Sequence, residues 1–475
     1  MEDKTDFPPT FPISRRRFIE RAGLGFAGAA AAGLAVQSAF AQIAGDKPSR
    51  PNILLLIADD AGWHDVGYNG SEIRTPNIDK LAGQGVQMEQ FYACPTCSPT
   101  RASILMGRPP SRYGILEPIA GRSTQVLPTD QGTLASLLRD AGYFTAQVGK
   151  WHLGLQPENG PNKYGFTSSY GYLHGQLDQL SHIYKNGDPT WQRDGKFIEE
   201  KGHATDLIAQ ETIRLIRVSD PRRPFFIYSA FSVPHYPLQE EEKWIAPYEK
   251  TIQNKSRRLY AAAMTHMDEA IGGILSALEK KRITSNTLVI FISDNGAQQD
   301  WVSSEREYGG AYGPYDVLGD NKPFRDWKGS VYEGGVRVPA IFSLPGWLNR
   351  RKVGYPAHVM DLLPTFAALA GAAIPQPLKV EGQDISTLLE GKLGGSRTFY
   401  WNTGGQLALR QGDWKLVHQG GDPAKGADEL YNIAHDPYEK QDLSASETTV
   451  LMQLRDNLAR QHSLDSLPKP APGGN

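Results

Sequence analysis

The strongest constraint on the fold of this chain is a pair of uninterrupted apolar runs, each ending in acidic or amide residues. Pro51-Asn52-Ile53-Leu54-Leu55-Leu56-Ile57 leads into Ala58-Asp59-Asp60, and Thr287-Leu288-Val289-Ile290-Phe291-Ile292-Ser293 leads into Asp294-Asn295-Gly296. Apolar runs without alternation suit a strand buried on both faces. Similar segments at 144–148, 225–230 and 340–344 alternate with helical patterns at 132–141, 203–218, 255–281 and 358–371. Alternating strands and helices predict an α/β fold, with a mainly parallel mixed sheet between layers of helices. Ligands of such sheets bind beyond the carboxyl ends of the strands. The two acid pairs, far apart in the chain, are therefore expected to meet in space.

The texture changes near residue 374. Short segments at 407–410, 414–417 and 429–433 predict a small antiparallel sheet, followed by a closing helix near 447–462. The expected organisation is a catalytic domain at 46–375, a small C-terminal α+β domain at 376–466 and a loose Pro/Gly-rich tail at 467–475. There are no internal repeats.

A formal charge of −2 over 475 residues offers no basic face for nucleic acid. The clusters Lys280-Lys281-Arg282 and Arg350-Arg351-Lys352 are read as solvated partners of helix ends. Ser14-Arg15-Arg16-Arg17-Phe18-Ile19 has the form of a twin-arginine export signal. An Ala/Gly-rich apolar stretch at 22–41 follows, with Ala39-Phe40-Ala41 as a small-residue cleavage site. These features predict a signal peptide at 1–41, removed by the twin-arginine machinery's host cell, and a periplasmic or secreted bacterial protein. No second long apolar run follows, so no transmembrane span is expected in the mature chain. Two cysteines, Cys94 and Cys97, are too few for a disulfide framework, and their Ser-Pro-Thr-Arg context is unlike a redox C-x-x-C.

Asp59, Asp60, Asp294 and Asn295 offer hard oxygen ligands, which favour Ca²⁺ or Mg²⁺ over zinc. Each pair alone also reads as an ordinary turn. Cys97 opens a segment with Pro99 near its start and Gly107 near its end, the punctuation of a helix. A nucleophile there sees free N–H groups and the positive end of the helix dipole, which favour an anionic ester. Arg101, one turn on, is placed to face back toward it. A buried structural Cys with a surface Arg is the bland alternative.

Cys97-Ser98-Pro99-Thr100-Arg101 resembles the maturation pentad of the type I sulfatases, with Thr100 where the family often has Ser. The resemblance extends to Val148-Gly149-Lys150-Trp151-His152-Leu153-Gly154, to Pro234-His235-Tyr236-Pro237 and to Trp327-Lys328-Gly329-Ser330, and spans roughly 51–443. Phe91-Tyr92, 96–107 and 260–268 are similar to the branch containing arylsulfatase B, the N-acetylgalactosamine 4-sulfatase. The resemblance implies an alkaline-phosphatase-like large domain. It also implies that a formylglycine-generating maturation enzyme oxidises Cys97 to formylglycine, whose hydrate attacks a sulfate ester. Asp59, Asp60, Asp294 and Asn295, with position 97, are then implied to hold Ca²⁺ or Mg²⁺. Arg101, Lys150, His235 and Lys328 bind the sulfate oxygens, His235 or Lys328 protonates the leaving group, and His152 removes a proton from the second hydroxyl to expel sulfate.

The substrate class implied is a sulfated carbohydrate or an aryl sulfate. Two rival readings are a formylglycine-dependent phosphonate monoester hydrolase or phosphodiesterase, and a non-catalytic protein binding sulfated glycans. Determinants of the sugar are expected within 156–196 and 297–326, where Trp191, Trp301, His174 and His182 are candidates for lining a subsite or for packing.

Overall fold

The computed structural model describes residues 49–128 and 130–467. The expected export signal at 1–41 and the tail from 468 onward lie outside the described residues. The strands are β1 (Asn52–Ala58), β2 (Val86–Met88), β3 (Phe91–Tyr92), β4 (Phe144–Lys150), β5 (Ser168–Tyr172), β6 (Trp191–Arg193), β7 (Lys196–Phe197) and β8 (Phe225–Ala230). They continue with β9 (Thr287–Ser293), β10 (Ala340–Ser343), β11 (Arg351–Val353), β12 (Ala357–His358), β13 (Thr398–Asn402), β14 (Gln406–Gln411), β15 (Trp414–Asp422) and β16 (Lys425–Asn432).

One ten-stranded sheet runs in the order β11-β2-β10-β9-β1-β8-β4-β5-β6-β7. Its centre, β9-β1-β8-β4-β5, is parallel, and antiparallel pairings flank it on both sides. The α/β expectation holds. Every residue of β1 is buried, and alternate side chains serve opposite faces. Ile53, Leu55 and Ile57 pack with helices Cys97–Met106, Leu134–Asp140 and Leu362–Ala370, while Leu54, Leu56 and Ala58 pack with Pro76–Gln84, Ala204–Val218 and Lys255–Lys281. Each larger side chain so buried stabilises the fold by roughly 1.5–3 kcal/mol.

Helix Lys255–Lys281 has the bounds expected of it, with the Asn254 side chain accepting from the Arg257 N–H at 2.9 Å. At its end Lys281 donates to the carbonyls of Arg217 and Ser219, so this basic cluster does serve a helix terminus, that of the neighbouring Ala204–Val218. The cluster at 350–352 also reaches a helix end: Arg351 and Lys352 lie in β11, at the sheet edge, and Arg351 donates to the carbonyl of Glu390, which caps helix Ser386–Leu389. The helix expected from 358 starts at Leu362, because Ala357 and His358 are drawn into pairing with β3.

Strands β13 to β16 form the small antiparallel sheet. One face packs Leu407, Leu409, Leu416 and Leu430 on Leu454 and Leu458 of the closing helix Thr448–His462; the other packs Trp401, Ala408 and Val417 on Tyr92, Val336 and Met360. Beneath the second face lies a buried ionic cluster that no local pattern announces. Lys415 Nζ lies 2.9 Å from Glu333 Oε1 and 2.8 Å from Glu439 Oε1, with all three side chains shielded. Burial works against charge on Glu333, but Lys415, Arg337 and Arg410 hold its carboxyl down at about 2. Replacing Lys415 with methionine leaves the buried Glu439 without its cation, while Glu333 keeps Arg337. A loss of about 3–5 kcal/mol is expected in chemical unfolding; an unchanged midpoint would show that the cluster contributes no stability.

Candidate active site

Both acid pairs do sit at the carboxyl ends of neighbouring parallel strands, since Ala58 of β1 pairs with Ser293 of β9. The backbone ties them together: Asp294 N–H donates to the Ala58 carbonyl, and Asp60 N–H donates to Asp294 Oδ1 at 3.2 Å. Asp60 occupies the left-handed region at φ 72°, a conformation that costs a non-glycine residue about 1 kcal/mol or more and concentrates at functional sites.

Gly296 explains why the second turn needs glycine. A Cβ there would lie 1.8 Å from the Gly334 carbonyl oxygen, and its N–H donates to Gly335 O at 3.0 Å. The segment carrying Lys328 is thereby docked on the Asp294 turn, with Lys328 N–H donating to Ala297 O and Gly329 N–H to Pro95 O. That second bond joins the lysine segment to the loop before Cys97.

Cys97 is the first residue of helix Cys97–Met106, 1% exposed, with Gly107 ending the helix at φ 66°. Cys94 and Cys97 are both free thiols. Burial raises the Cys97 pKa, and Lys150 and Lys328 only partly oppose it. The Thr100 hydroxyl accepts from the Cys94 N–H at 2.9 Å, a role serine could also fill. Arg101 turns back as expected: its guanidinium lies 2.6 Å from Asp294 Oδ2 and 3.9 Å from Asp59 Oδ1.

Lys150, at the end of β4, donates to both oxygens of Asp59 at 2.8 and 2.7 Å. Lys328 donates to Asp60 Oδ2 at 2.8 Å, and His235 Nε2 lies 3.7 Å from that oxygen. The chamber thus matches the carboxylates Asp59, Asp60 and Asp294 with the cations Lys150, Lys328 and Arg101. Asp59, Asp294, Asn295, Arg101 and Lys150 are fully shielded, and Lys328, with a 9% exposed side chain, marks the side that opens outward.

The oxygen donors fit a hard divalent cation. Asn295 donates through Nδ2 to Asp60 Oδ1 at 2.7 Å, which leaves its Oδ1 buried without a hydrogen-bond partner. A buried amide oxygen without a donor is costly unless a cation satisfies it. Ligand atoms of Asp59, Asp60 and His235 also lie within 4.8 Å of one another.

His152 is the most informative of the predicted residues. Nε2 faces the Ile119 carbonyl at 2.9 Å and must carry the proton, so Nδ1 holds the free lone pair; it is buried and unpartnered. Burial, then Lys150 and Arg101, drive the His152 pKa well below its usual value, so the ring is neutral. Ser98 locks this geometry, donating to the His152 carbonyl at 2.8 Å while accepting from the Ile119 N–H at 3.0 Å. Ser98 is marked in the sequence only by its adjacency to Cys97, and Ile119 not at all.

The suggested sugar-lining residues are mostly packing. His182 stacks on Trp191 at 4.5 Å, His174 stacks on Tyr184 at 4.2 Å, and Trp301 is held between Tyr236 and Tyr315. A second cluster, His203-Glu240-His266, stands outside the chamber. There His203 Nδ1 accepts from the Thr205 N–H, so Nε2 bears the proton and is not a ligand atom. Burial opposes charge on His266, yet Asp206 and Glu240 raise its pKa to about 9, making the cluster an ion-paired support.

Known sulfatases are similar to this chain. A family model for sulfatases matches residues 51–372. Arylsulfatase J of Mus musculus is 31% identical over 87% of this chain and 76% of its own length. The N-acetylgalactosamine-6-sulfatase of the same species is 34% identical over 80% of this chain and 74% of its own. The solved structure of Ps i-CgsB in complex with k-i-k-neocarrahexaose superposes with a TM-score of 0.79 at 30% identity, covering 88% of this chain and 94% of that one.

Proposed function

The chain belongs to the type I sulfatase family and is a sulfuric ester hydrolase, and from that premise we propose that the chamber around Cys97 is its active site. The observation that carries the assignment is the convergence of three acidic side chains, three cations and two neutral histidines, His152 and His235, on a cysteine at a helix N-terminus.

Asp59, Asp60, Asp294 and Asn295, with position 97, are the residues that hold a divalent cation, Ca²⁺ or Mg²⁺. When bound it supplies Lewis-acid polarisation of the oxygens it touches. Conversion of Cys97 to formylglycine supplies, as the hydrate, one hydroxyl for attack and a second for release. Arg101, Lys150, Lys328 and His235 surround the sulfate oxygens and stabilise the charge that develops on them. His235 keeps its proton on Nδ1, which donates to the Tyr236 carbonyl at 2.7 Å, and burial, with Lys328 and Lys150, drives its pKa well below the usual value; Nε2 therefore faces the chamber as a lone pair and contacts a sulfate oxygen only once it is protonated. His152 Nδ1 is the proton acceptor for the release step, because Ile119 holds the proton on the other nitrogen. Shielding of the chamber keeps bulk water from competing.

Sulfated carbohydrates are the proposed natural substrates, and aryl sulfates the convenient surrogates; Ps i-CgsB, a structural neighbour, is described in complex with a neocarrahexaose. Export through the twin-arginine route, with maturation of Cys97 beforehand, belongs to the same proposal and rests on the motif at 14–19. The test compares 4-nitrophenyl sulfate with 4-nitrophenyl phosphate and a matched phosphodiester on protein with converted Cys97. Preference for sulfate by about 100-fold or more in kcat/KM is expected. Preference for either phosphate ester would move the chain to the phosphoesterase reading.

A further inference from the structure

Asp60 is held through its backbone as well as through its carboxylate. Its φ of 72° is a conformation that persists only where the surroundings over-determine it. On the amino side its N–H donates to Asp294 Oδ1; on the carboxyl side its carbonyl accepts from the Tyr260 hydroxyl at 2.9 Å. Ala61 N–H then donates to Ser293 Oγ at 2.9 Å, and Gly62 N–H to Asp65 Oδ2 at 2.9 Å. Beyond Asp294, the turn after β1 is closed by Tyr260, Ser293 and Asp65, none of which the proposed chemistry uses.

Tyr260 stands on the buried face of helix Lys255–Lys281, 1% exposed. Asp65 Oδ2 lies 2.7 Å from its hydroxyl, so one proton is shared between the Asp65 carboxylate and the Asp60 carbonyl. Burial and the Asp65 charge hold this phenol well above its usual pKa, which keeps the proton in place. Arg257, one turn earlier on the helix, donates to Asp65 Oδ1 at 2.6 Å, to the Leu318 carbonyl at 2.9 Å and to Glu72 Oε1 at 2.9 Å. Gly62 N–H, Asp320 N–H, Tyr260 and Arg257 together supply four donors to the Asp65 carboxylate, which matches its roughly four lone-pair sites. Asp65 is thus a brace and not another metal ligand. Gly319 closes the far side: a Cβ there would fall 2.8 Å from Asp65 Oδ2 and 2.9 Å from the Tyr260 hydroxyl oxygen.

Resting on the reading of the chamber as a sulfatase metal site, we propose that Tyr260, braced by Asp65 and Arg257, is a positioning residue for the divalent cation. It sets the Asp60 turn before the ion arrives, so that binding does not have to order it. Its contribution is read in metal affinity, and not in the chemical step.

The test titrates chelated protein with converted Cys97 by calorimetry, using Ca²⁺ and, in parallel, Mg²⁺. Tyr260→Phe removes a single oxygen and is expected to raise the dissociation constant of the tighter-binding ion about tenfold or more. Saturating ion is expected to return its kcat for 4-nitrophenyl sulfate to near the wild-type value. The control is Tyr143→Phe. Tyr143 is 0% exposed and donates to the Pro51 carbonyl at 3.1 Å, so this variant loses a like hydrogen bond at the opposite end of β1. Its ion affinity is expected to match the wild type, whatever its thermal midpoint does. An unchanged dissociation constant in Tyr260→Phe, an equal weakening in Tyr143→Phe, or a rate that excess ion fails to restore would each overturn the positioning role. A wild type that binds neither ion would instead overturn the metal site itself, and the brace with it.

Discussion

Cys97→Ala is expected to lower kcat/KM for 4-nitrophenyl sulfate by about 10⁴-fold or more, with thermal stability nearly unchanged. The side chain is small, and removal of its sulfur at the helix start breaks no hydrogen bond recorded for it, so the fold has little to lose. Chemistry has everything to lose, because position 97 is the proposed nucleophile in a chamber otherwise built mainly of carboxylates, cations and histidines. Cys97→Ser should be nearly as inactive over many turnovers. A serine hydroxyl, once sulfated, has no second hydroxyl through which His152 could drive release. In protein from its natural host, the peptide holding position 97 is expected about 18 Da lighter than the cysteine form, by loss of SH₂ and gain of O. The same digest reads the mature N-terminus, expected at Gln42. An unmodified thiol in fully active protein would sink this account of the nucleophile.

The parts legible in the sequence were those with uniform, long-range demands on composition. A strand buried on both faces must be apolar throughout, so β1 and β9 were visible with their terminal acids. Helix Lys255–Lys281 was visible because a long repeat and the Asn254 cap agree. Strands β5 to β7 escaped notice because they are short, rich in Gly, Tyr and polar residues, and formed by pairing alone. Trp191, His174 and His182 stand in that same region, where the sequence leaves sugar contact and packing equally open and ring stacking favours packing. The Glu333-Lys415-Glu439 cluster was equally hidden, since its members lie 82 and 106 residues apart and no local pattern links them. At the catalytic centre the residue identities were readable but not their states. Only the Ile119 carbonyl reveals which nitrogen of His152 is free.

Removal of the divalent cation is expected to abolish sulfate hydrolysis, by about 100-fold or more, without unfolding the protein. The reason is the charge pairing inside the chamber. Asp59 has Lys150 at 2.7 Å, Asp60 has Lys328 at 2.8 Å and Asp294 has Arg101 at 2.6 Å, so the carboxylates are neutralised even without the metal. Buried charges of like sign with no partners would cost several kcal/mol each; here the cations offset most of that cost, although burial still pushes the Asp59 carboxyl up to about 8. Exhaustive chelation should therefore give an inactive, cooperatively folding protein whose activity returns with Ca²⁺ or Mg²⁺. The returning ion should raise the unfolding free energy by about 2.7 kcal/mol at a hundred times its dissociation constant. Asp294→Ala separates the two effects. It removes a ligand oxygen and also strands Arg101, which is 0% exposed, so activity should vanish and about 3–5 kcal/mol of stability should be lost with or without added metal. If chelation alone unfolds the chain, the lysines and arginine do not hold the carboxylates as these distances imply. If chelated protein keeps its full rate, the orphaned Asn295 Oδ1 and its neighbours serve no catalytic cation.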